Sequence, residues 1–298
     1  MPALRAFVFL RHNETMKSRR TALLISMALL AGTVLACWFI TWAAGLLALT
    51  KRITISATLH VRFANPIFAA KQMVTADHVG EGRFGLNIVV GWNEGEFDMF
   101  GVQQRDHDRR YDYAHEWIEI VKRVWGPEEN WDHDGSFFKL KGVRMKPKPY
   151  GGGRPLIMNA GSSTNGQAFA LKNCDAFFTS ATRTDPEKTA EKVRALKEQA
   201  RGYGREIGVY TVGVVTCRPT MREAEDYHRY ASIECADWNA VRDILALKKI
   251  SPETVGQQTY EAQRRAYANG MGGLPIVGDP DLVAETLASL CHAGLRGI

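Results

Sequence analysis

Several stretches carry residue types whose spacing could do chemistry. His60 closes the alternating run ITISATLHV (53–61). An imidazole at such a strand end could donate a proton to a bound substrate, or sit there as a satisfied structural histidine. In GRFGLNIVVGWNEGEFDMFG (82–101), Asn87 interrupts an apolar strand; a buried amide is costly unless it is hydrogen-bonded. Glu94, Glu96 and Asp98 follow in what reads as a loop. They suggest a divalent cation, but the loop brings no further ligands and no metal is expected. Arg109-Arg110-Tyr111 stands near a helix start, where an arginine more often faces solvent; fixed near a phosphate, it would make a two-pronged contact that lysine could not copy. Asn159-Ala160-Gly161-Ser162-Ser163-Thr164-Asn165-Gly166 joins a strand to a helix. Small residues there let backbone amides approach an anion at the helix amino terminus, while Thr164 with Gln167 equally forms a capping box. His107 and His115 flank a helical segment and read as solvated surface histidines.

The elements that must position these residues alternate. Trp42–Leu49 reads as a short helix ending at the cations Lys51 and Arg52. The 53–61 strand follows, and then the helix PIFAAKQMVTADHV, capped by Asn65 with Pro66 at its first position. The strand from Gly82 is apolar on both faces, as in a parallel sheet or barrel, and its carboxyl end is where such folds build sites. Residues 108–125 keep the spacing of an amphipathic helix through Ala114, Trp117, Ile118, Val121, Val124 and Trp125. WDHDGSFFKLKGV (131–143) reads as a hairpin turned at Asp134-Gly135. Strands are expected at 155–160, 175–180 and 207–216, with helices at 167–173, 186–201, 221 to about 235, and 280–292. Residues 236–275 read as a helical excursion, and 295–298 as the start of a further strand. Strand–helix alternation of this length implies parallel strands with helical crossovers. No GxGxxG follows a strand, which favours a barrel over an open dinucleotide-binding sheet.

Composition sets broad bounds. The 298 residues are 45% hydrophobic and 23% charged with a formal net charge of +6, an ordinary globular balance. There is no long basic run with interleaved aromatics, so no nucleic-acid partner is expected. The five cysteines are scattered and odd in number without a CxxC pair, which argues against a disulfide framework or a zinc site.

Thr21–Thr50 contains no charged residue and follows Lys17, Arg19 and Arg20. It is long enough to span a bilayer, it resembles a lipoprotein signal ending at Cys37, and it also fits a buried helix. By hydropathy alone membrane association through 21–41 is favoured.

GRFGLNIVVGWNEGEFDMFG, RRYDYAHEWIEIVKRVW, GSFFKLKGVRMKPKP and PLIMNAGSSTNGQAFA, in that order, resemble the luciferase-like flavin-dependent monooxygenases, in the branch holding pyrimidine oxygenase and the dimethylsulfone and alkanesulfonate monooxygenases. The likeness runs from about Trp42 to Ile298. It implies an α/β fold, a (β/α)8 TIM barrel of the bacterial-luciferase type, in which residues 42–298 form the partial barrel domain and 1–41 an unaligned apolar segment. It implies reduced FMN as cofactor, dioxygen as co-substrate, a separate NAD(P)H:flavin reductase as partner, and a small organic sulfur or nitrogen compound as substrate. Matched by position, the flavin contacts fall on Asn87, Glu96, Arg110 with Tyr111, and Ser163 with Gly161 and Ser162 beside it. Thr58 falls near the flavin ring, and His60 is the candidate catalytic residue. The barrel is expected to be cytoplasmic, and a homo-oligomer is allowed.

This chain departs from the family pattern at both ends. The family's first two strands, and most of the last, have no counterpart in it, so the expected barrel is incomplete, as from a truncated or frameshifted gene. Two rivals to the monooxygenase reading stay open: an inactive membrane-tethered remnant that at most binds flavin, and a dehydrogenase using the deazaflavin F420 on the same fold.

Overall fold

The computed structural model describes residues 38–91, 93–102, 107–181 and 185–298. The described chain divides into two compact units, meeting in sequence between Phe177 and Phe178.

The first unit runs in chain order through α1 (Trp38–Leu49), β1 (Ile55–His60), α2 (Pro66–Val79), β2 (Phe84–Val89), α3 (Glu94–Met99), α4 (His107–Trp125), β3 (Trp131–Asp134), β4 (Lys139–Val143), β5 (Leu156–Asn159), α5 (Thr164–Asn173) and β6 (Ala176–Phe178), of which Phe178 is counted with the second unit. The strands β1, β2, β5 and β6 are neighbours in that order and all parallel, with β3 and β4 forming a separate antiparallel hairpin. Helical crossovers between parallel neighbours are the βαβ plan of an α/β barrel. Leu59, Leu86, Ile88 and Ile157 on the strands and Ala69, Met73, Trp117, Val121 and Phe169 on the helices are all buried. Asn65 and Pro66 open α2 as expected, the Asn65 side chain accepting from the N–H groups of Ile67 and Phe68. Among the described residues β1 is the edge of its sheet, on the side where a complete barrel would continue.

The apolar amino-terminal run lies outside the described residues up to 37. Its described end is the 12-residue α1, which buries Ile40, Ala43 and Leu47 and exposes Trp42 and Leu49. Among the described residues no helix is long and apolar enough to cross a membrane.

The carboxyl end of α1 corrects the sequence reading. Lys51 and Arg52 point into solvent, and Arg83, just before β2, does the capping. Its Nη2 donates to the Leu47 and Thr50 carbonyls at 3.0 and 2.9 Å, and its Nη1 to the Ile53 carbonyl at 3.0 Å. A planar guanidinium can serve several helix-end carbonyls at once from a fixed position, which a flexible lysine cannot.

Two more local corrections follow from short-range chemistry. Residues 94–99, read as loop, form α3, because the Asn93 side chain accepts the Gly95 N–H and Phe97 is buried. The hairpin does turn after Asp134, but through residues 135–138, with the Gly135 N–H donating to the Phe138 carbonyl. Glu116 on α4 fixes that turn: it accepts from the Phe137 and Phe138 N–H groups at 3.0 and 2.8 Å and lies 3.1 Å from His133 Nε2.

The second unit contains α6 (Pro186–Gly202), β7 (Gly208–Tyr210), β8 (Gly213–Cys217), α7 (Met221–Arg229), α8 (Trp238–Leu247), α9 (Pro252–Val255), α10 (Gln257–Ala268), β9 (Leu274–Gly278) and α11 (Pro280–His292). The single strand expected over 207–216 is broken at Thr211-Val212, because the chain changes partner there. Thr211 N–H donates to the Gly297 carbonyl, whereas the Val212 carbonyl accepts from Leu274, and β8 runs parallel to β9. The strand β9 lies in the stretch read as a helical excursion; five residues containing Pro275 are too few to show a period. The strand expected at 295–298 is a single parallel bridge, Tyr210 to Gly297. The helix expected from 221 to about 235 ends at Arg229 and passes into a π turn over Tyr230–Glu234.

Replacing Arg83 by alanine removes its bonds to the Leu47, Thr50 and Ile53 carbonyls, and should cost about 2 kcal/mol, near the lower end for charge-assisted hydrogen bonds. Urea denaturation should show a lower midpoint with unchanged slope, while Lys51→Ala stays within about 0.5 kcal/mol of the wild type. The carboxyl of Glu116 is raised by burial, but the Phe138 N–H, His133 and the Phe137 N–H outweigh this and hold it below its ordinary 4.5. Its contribution to stability is therefore present above the unfolded-state value and lost as pH falls through the lower folded-state value. Glu116→Gln should flatten the stability profile below about pH 4.5; an acid limb identical to wild type would contradict this.

Candidate functional site

The sequence-selected residues of the first unit gather at the carboxyl ends of β1, β2 and β5. Register does the first part of the work: Thr58 on β1 stands directly beside Asn87 on β2, and the Asn87 Nδ2 donates to Thr58 Oγ1 at 3.1 Å. Asn87 is half-buried rather than sealed in the strand, so its amide is satisfied on one side and keeps its carbonyl oxygen for another partner.

The turn after β5 is built by a residue that the sequence reading left as part of a motif. Asn159 is 4% exposed. Its Nδ2 donates to the Ile88 carbonyl of β2 at 2.7 Å, and its Oδ1 accepts the Gly161 N–H at 2.8 Å. One amide thereby ties the end of β5 to β2 and closes the turn. The signal in the sequence was a polar residue ending an apolar run just before AGSS. Glycine is required twice at this crossing. A Cβ on Gly161 would come within 3.0 Å of the Gly166 Cα, and one on Gly166 within 2.7 Å of the Tyr111 hydroxyl. The turn and the first turn of α5 therefore pack backbone against backbone. The cap of α5 is Ser163, not Thr164: its Oγ accepts the Gly166 N–H at 3.1 Å. Ser162 is exposed beside it.

The start of α4 closes over this turn. The Tyr111 hydroxyl lies 3.4 Å from Ser163 Oγ, and the Arg110 Nη1 donates to the Gly91 carbonyl, past the end of β2, at 2.9 Å. The Arg110 Nε is buried with no hydrogen-bond partner, while Arg109 is exposed. Helix α4 is held to α5 by His115, which is half-buried and not a solvated histidine as expected. Asn173 Nδ2 donates to its Nδ1 at 2.9 Å. Burial, and then Lys172, push the imidazole below its ordinary range, which keeps that nitrogen an acceptor. The side chain of His107 lies outside the described residues.

The structure also brings together two residues that the sequence placed separately. His60 at the end of β1 and Glu96 in α3 are 6% and 5% exposed, and His60 Nδ1 stands 3.4 Å from Glu96 Oε2. Burial pushes His60 down and Glu96 up, so at neutral pH the imidazole is uncharged. The His60 ring stacks on Phe63 at 5.6 Å, and Phe63 is braced by Phe97 and Phe100 at 5.1 and 4.4 Å. A Cβ on Gly91, whose φ is +107°, would meet the Phe97 ring at 2.5 Å. Glycine at the end of β2 thus lets Phe97 seat α3.

A parallel α/β sheet with polar side chains at its strand ends and a small-residue turn opening a helix is the arrangement of a phosphate-bearing cofactor site in a barrel. The chain belongs to the luciferase-like monooxygenase family, whose model matches residues 29–297; that match begins inside the apolar run. Pyrimidine monooxygenase RutA of Enterobacter sp. (strain 638) is 32% identical over 206 residues, 66% of this chain and 56% of that protein. The chain thus spans little more than half the length of the curated relatives it matches. Among solved structures, riboflavin lyase (RcaE), with modified FMN and its substrate riboflavin, superposes at a TM-score of 0.76 and 25% identity over 87% of this chain and 68% of that one. DmoA from Hyphomicrobium sulfonivorans gives 0.76 at 20% identity, over 87% and 66%. The resemblance and the incomplete barrel plan read from the sequence therefore hold.

Asn159→Leu would strand the Ile88 carbonyl and the Gly161 N–H, at a cost on the order of 2 kcal/mol. Hydrogen exchange should show the Gly161 amide losing protection by at least tenfold relative to the amides of α2. Equal protection in the variant would show that the amide does not hold the turn.

Proposed function

We propose that this chain is an FMN-dependent monooxygenase that takes reduced flavin from a separate NAD(P)H:flavin reductase and acts with dioxygen on a small organic nitrogen or sulfur compound. The observation that carries the reading is the Asn159-braced turn, with Ser163, Tyr111 and Arg110 gathered on it at the amino terminus of α5. The residues present fit the cofactor. A helix amino terminus and a guanidinium with an unused buried Nε–H suit a phosphate. The half-buried Asn87 amide keeps an acceptor for the N–H groups of a flavin ring.

In this reading Ser163, Tyr111 and Arg110 hold the phosphate end, with Gly161 and Ser162 lining the turn. Thr58 and Asn87 orient the ring system, and Glu96 meets it from α3. Reduced FMN, when bound, supplies the electrons that activate dioxygen. The chain's own residues orient the ring, exclude water with the Phe63–Phe97–Phe100 cluster, and offer His60 for proton transfer. Support comes from the relatives named pyrimidine monooxygenase and from the neighbouring structure that contains modified FMN; both favour flavin over the deazaflavin F420. The membrane-tethered remnant finds no support in α1, which is a short helix with a buried face.

The test is a fluorescence titration with FMN, followed by oxygen uptake in the presence of reductase, NADH, and uracil or dimethylsulfone. Asn87→Ala and Ser163→Ala should each raise the flavin Kd about tenfold, the value of one lost hydrogen bond to a bound ligand. Unchanged Kd values in both variants would remove the site assignment. Oxygen uptake no faster than with reductase alone would remove the monooxygenase.

A further inference from the structure

The pairing of His60 with Glu96 has more consequence than either residue alone. Thr58 and His60 are two apart on β1 and so project on the same face of the sheet. His60 lies about 7 Å beyond the Thr58–Asn87 pair toward the carboxyl end. That position is next to the residues assigned to the flavin ring. We infer that Glu96 is a positioning residue for His60: its carboxylate accepts the Nδ1 proton, which leaves Nε2 as the proton-accepting nitrogen of the site. This inference rests on the flavin-site reading for its function, but not for its geometry.

Three observations carry it. The Nδ1 atom is buried with no hydrogen-bond partner, and the Glu96 oxygen 3.4 Å away, in an ion-pair contact rather than a formed hydrogen bond, is the polar group positioned to fix its proton. The ring is held in plane by Phe63, which Phe97 and Phe100 brace in turn, so the imidazole cannot swing to exchange its nitrogens without breaking the aromatic cluster. Glu96 sits on a helix anchored by the Asn93 cap and the buried Phe97, so the carboxylate is placed by the backbone rather than by a flexible loop. A carboxylate behind one imidazole nitrogen sets the tautomer and offsets the charge when the other nitrogen takes a proton. A proton taken up at Nε2 converts the pair to imidazolium and carboxylate, and its release to water restores the starting state. Oε2 faces His60, and Oε1 remains for the cofactor.

The tautomer can be read directly by long-range 15N–1H correlation spectra of the 15N-histidine-labelled full chain without flavin. The His60 signals, out of eight histidines, are identified by their loss in His60→Gln. The wild type should show Nδ1 protonated and Nε2 bare, the less common form for a free imidazole. Glu96→Gln should switch His60 to the Nε2-protonated form, and Glu96→Asp, which keeps the charge, should retain at least part of the Nδ1-protonated population. An Nε2-protonated His60 in the wild type overturns the inference whether or not any variant folds, and so does an unchanged tautomer in a folded Glu96→Gln protein. An FMN titration of the same sample separates the two ideas: the expected tautomer without flavin binding would keep the pair and remove the flavin-site reading.

Discussion

The candidate site depends on one side-chain amide. Asn159 spends its donor on the Ile88 carbonyl and its acceptor on the Gly161 N–H, and everything around the turn is placed relative to those two bonds. With β5 fixed to β2, the turn can carry Ser163 into the cap of α5. Tyr111 then meets Ser163, and Arg110 reaches the end of β2. The amide is buried, so losing either bond leaves an unpaired polar group in a low-dielectric interior, which costs more than the bond itself contributes. The geometry is thus held by a penalty for leaving it.

The polar chemistry of the first unit is split between the two ends of the strands. At their amino ends the charged groups brace the fold. Arg83 caps α1, Asp175 pairs with Arg154 and accepts the Ile157 N–H, and Asp77 accepts the Tyr150 N–H. At the carboxyl ends the groups are only partly satisfied: an amide with an unused carbonyl, a guanidinium with an unpaired Nε, and an imidazole facing one carboxyl oxygen. In parallel α/β folds the first pattern marks stability and the second marks a binding site.

Much of this was legible in the sequence, for identifiable reasons. The Asn65–Pro66 start of α2 and the 280–292 helix were readable because caps and proline are local signals. The strands of the first unit were readable because their apolar alternation is sustained. The break at Thr211-Val212 and the strand β9 were not, because which strand a backbone group pairs with is decided by distant chain. The same limit applies to the site. Asn87, Glu96 and Ser163 could be singled out, yet that Asn87 bonds Thr58, that Glu96 meets His60, and that Ser163 rather than Thr164 caps α5 depend on register and packing. Arg83 was overlooked for the same reason: nothing near it in sequence shows that α1 ends beneath it.

The central claim is that FMN is held by the turn after β5, the end of β2 and the start of α4. Amide hydrogen exchange of the full chain with and without saturating FMN tests it most directly. The account predicts protection gained in 88–91, 110–111 and 161–166, with α2 and the β3–β4 hairpin unchanged. Saturable flavin binding that leaves those three segments unprotected would contradict it.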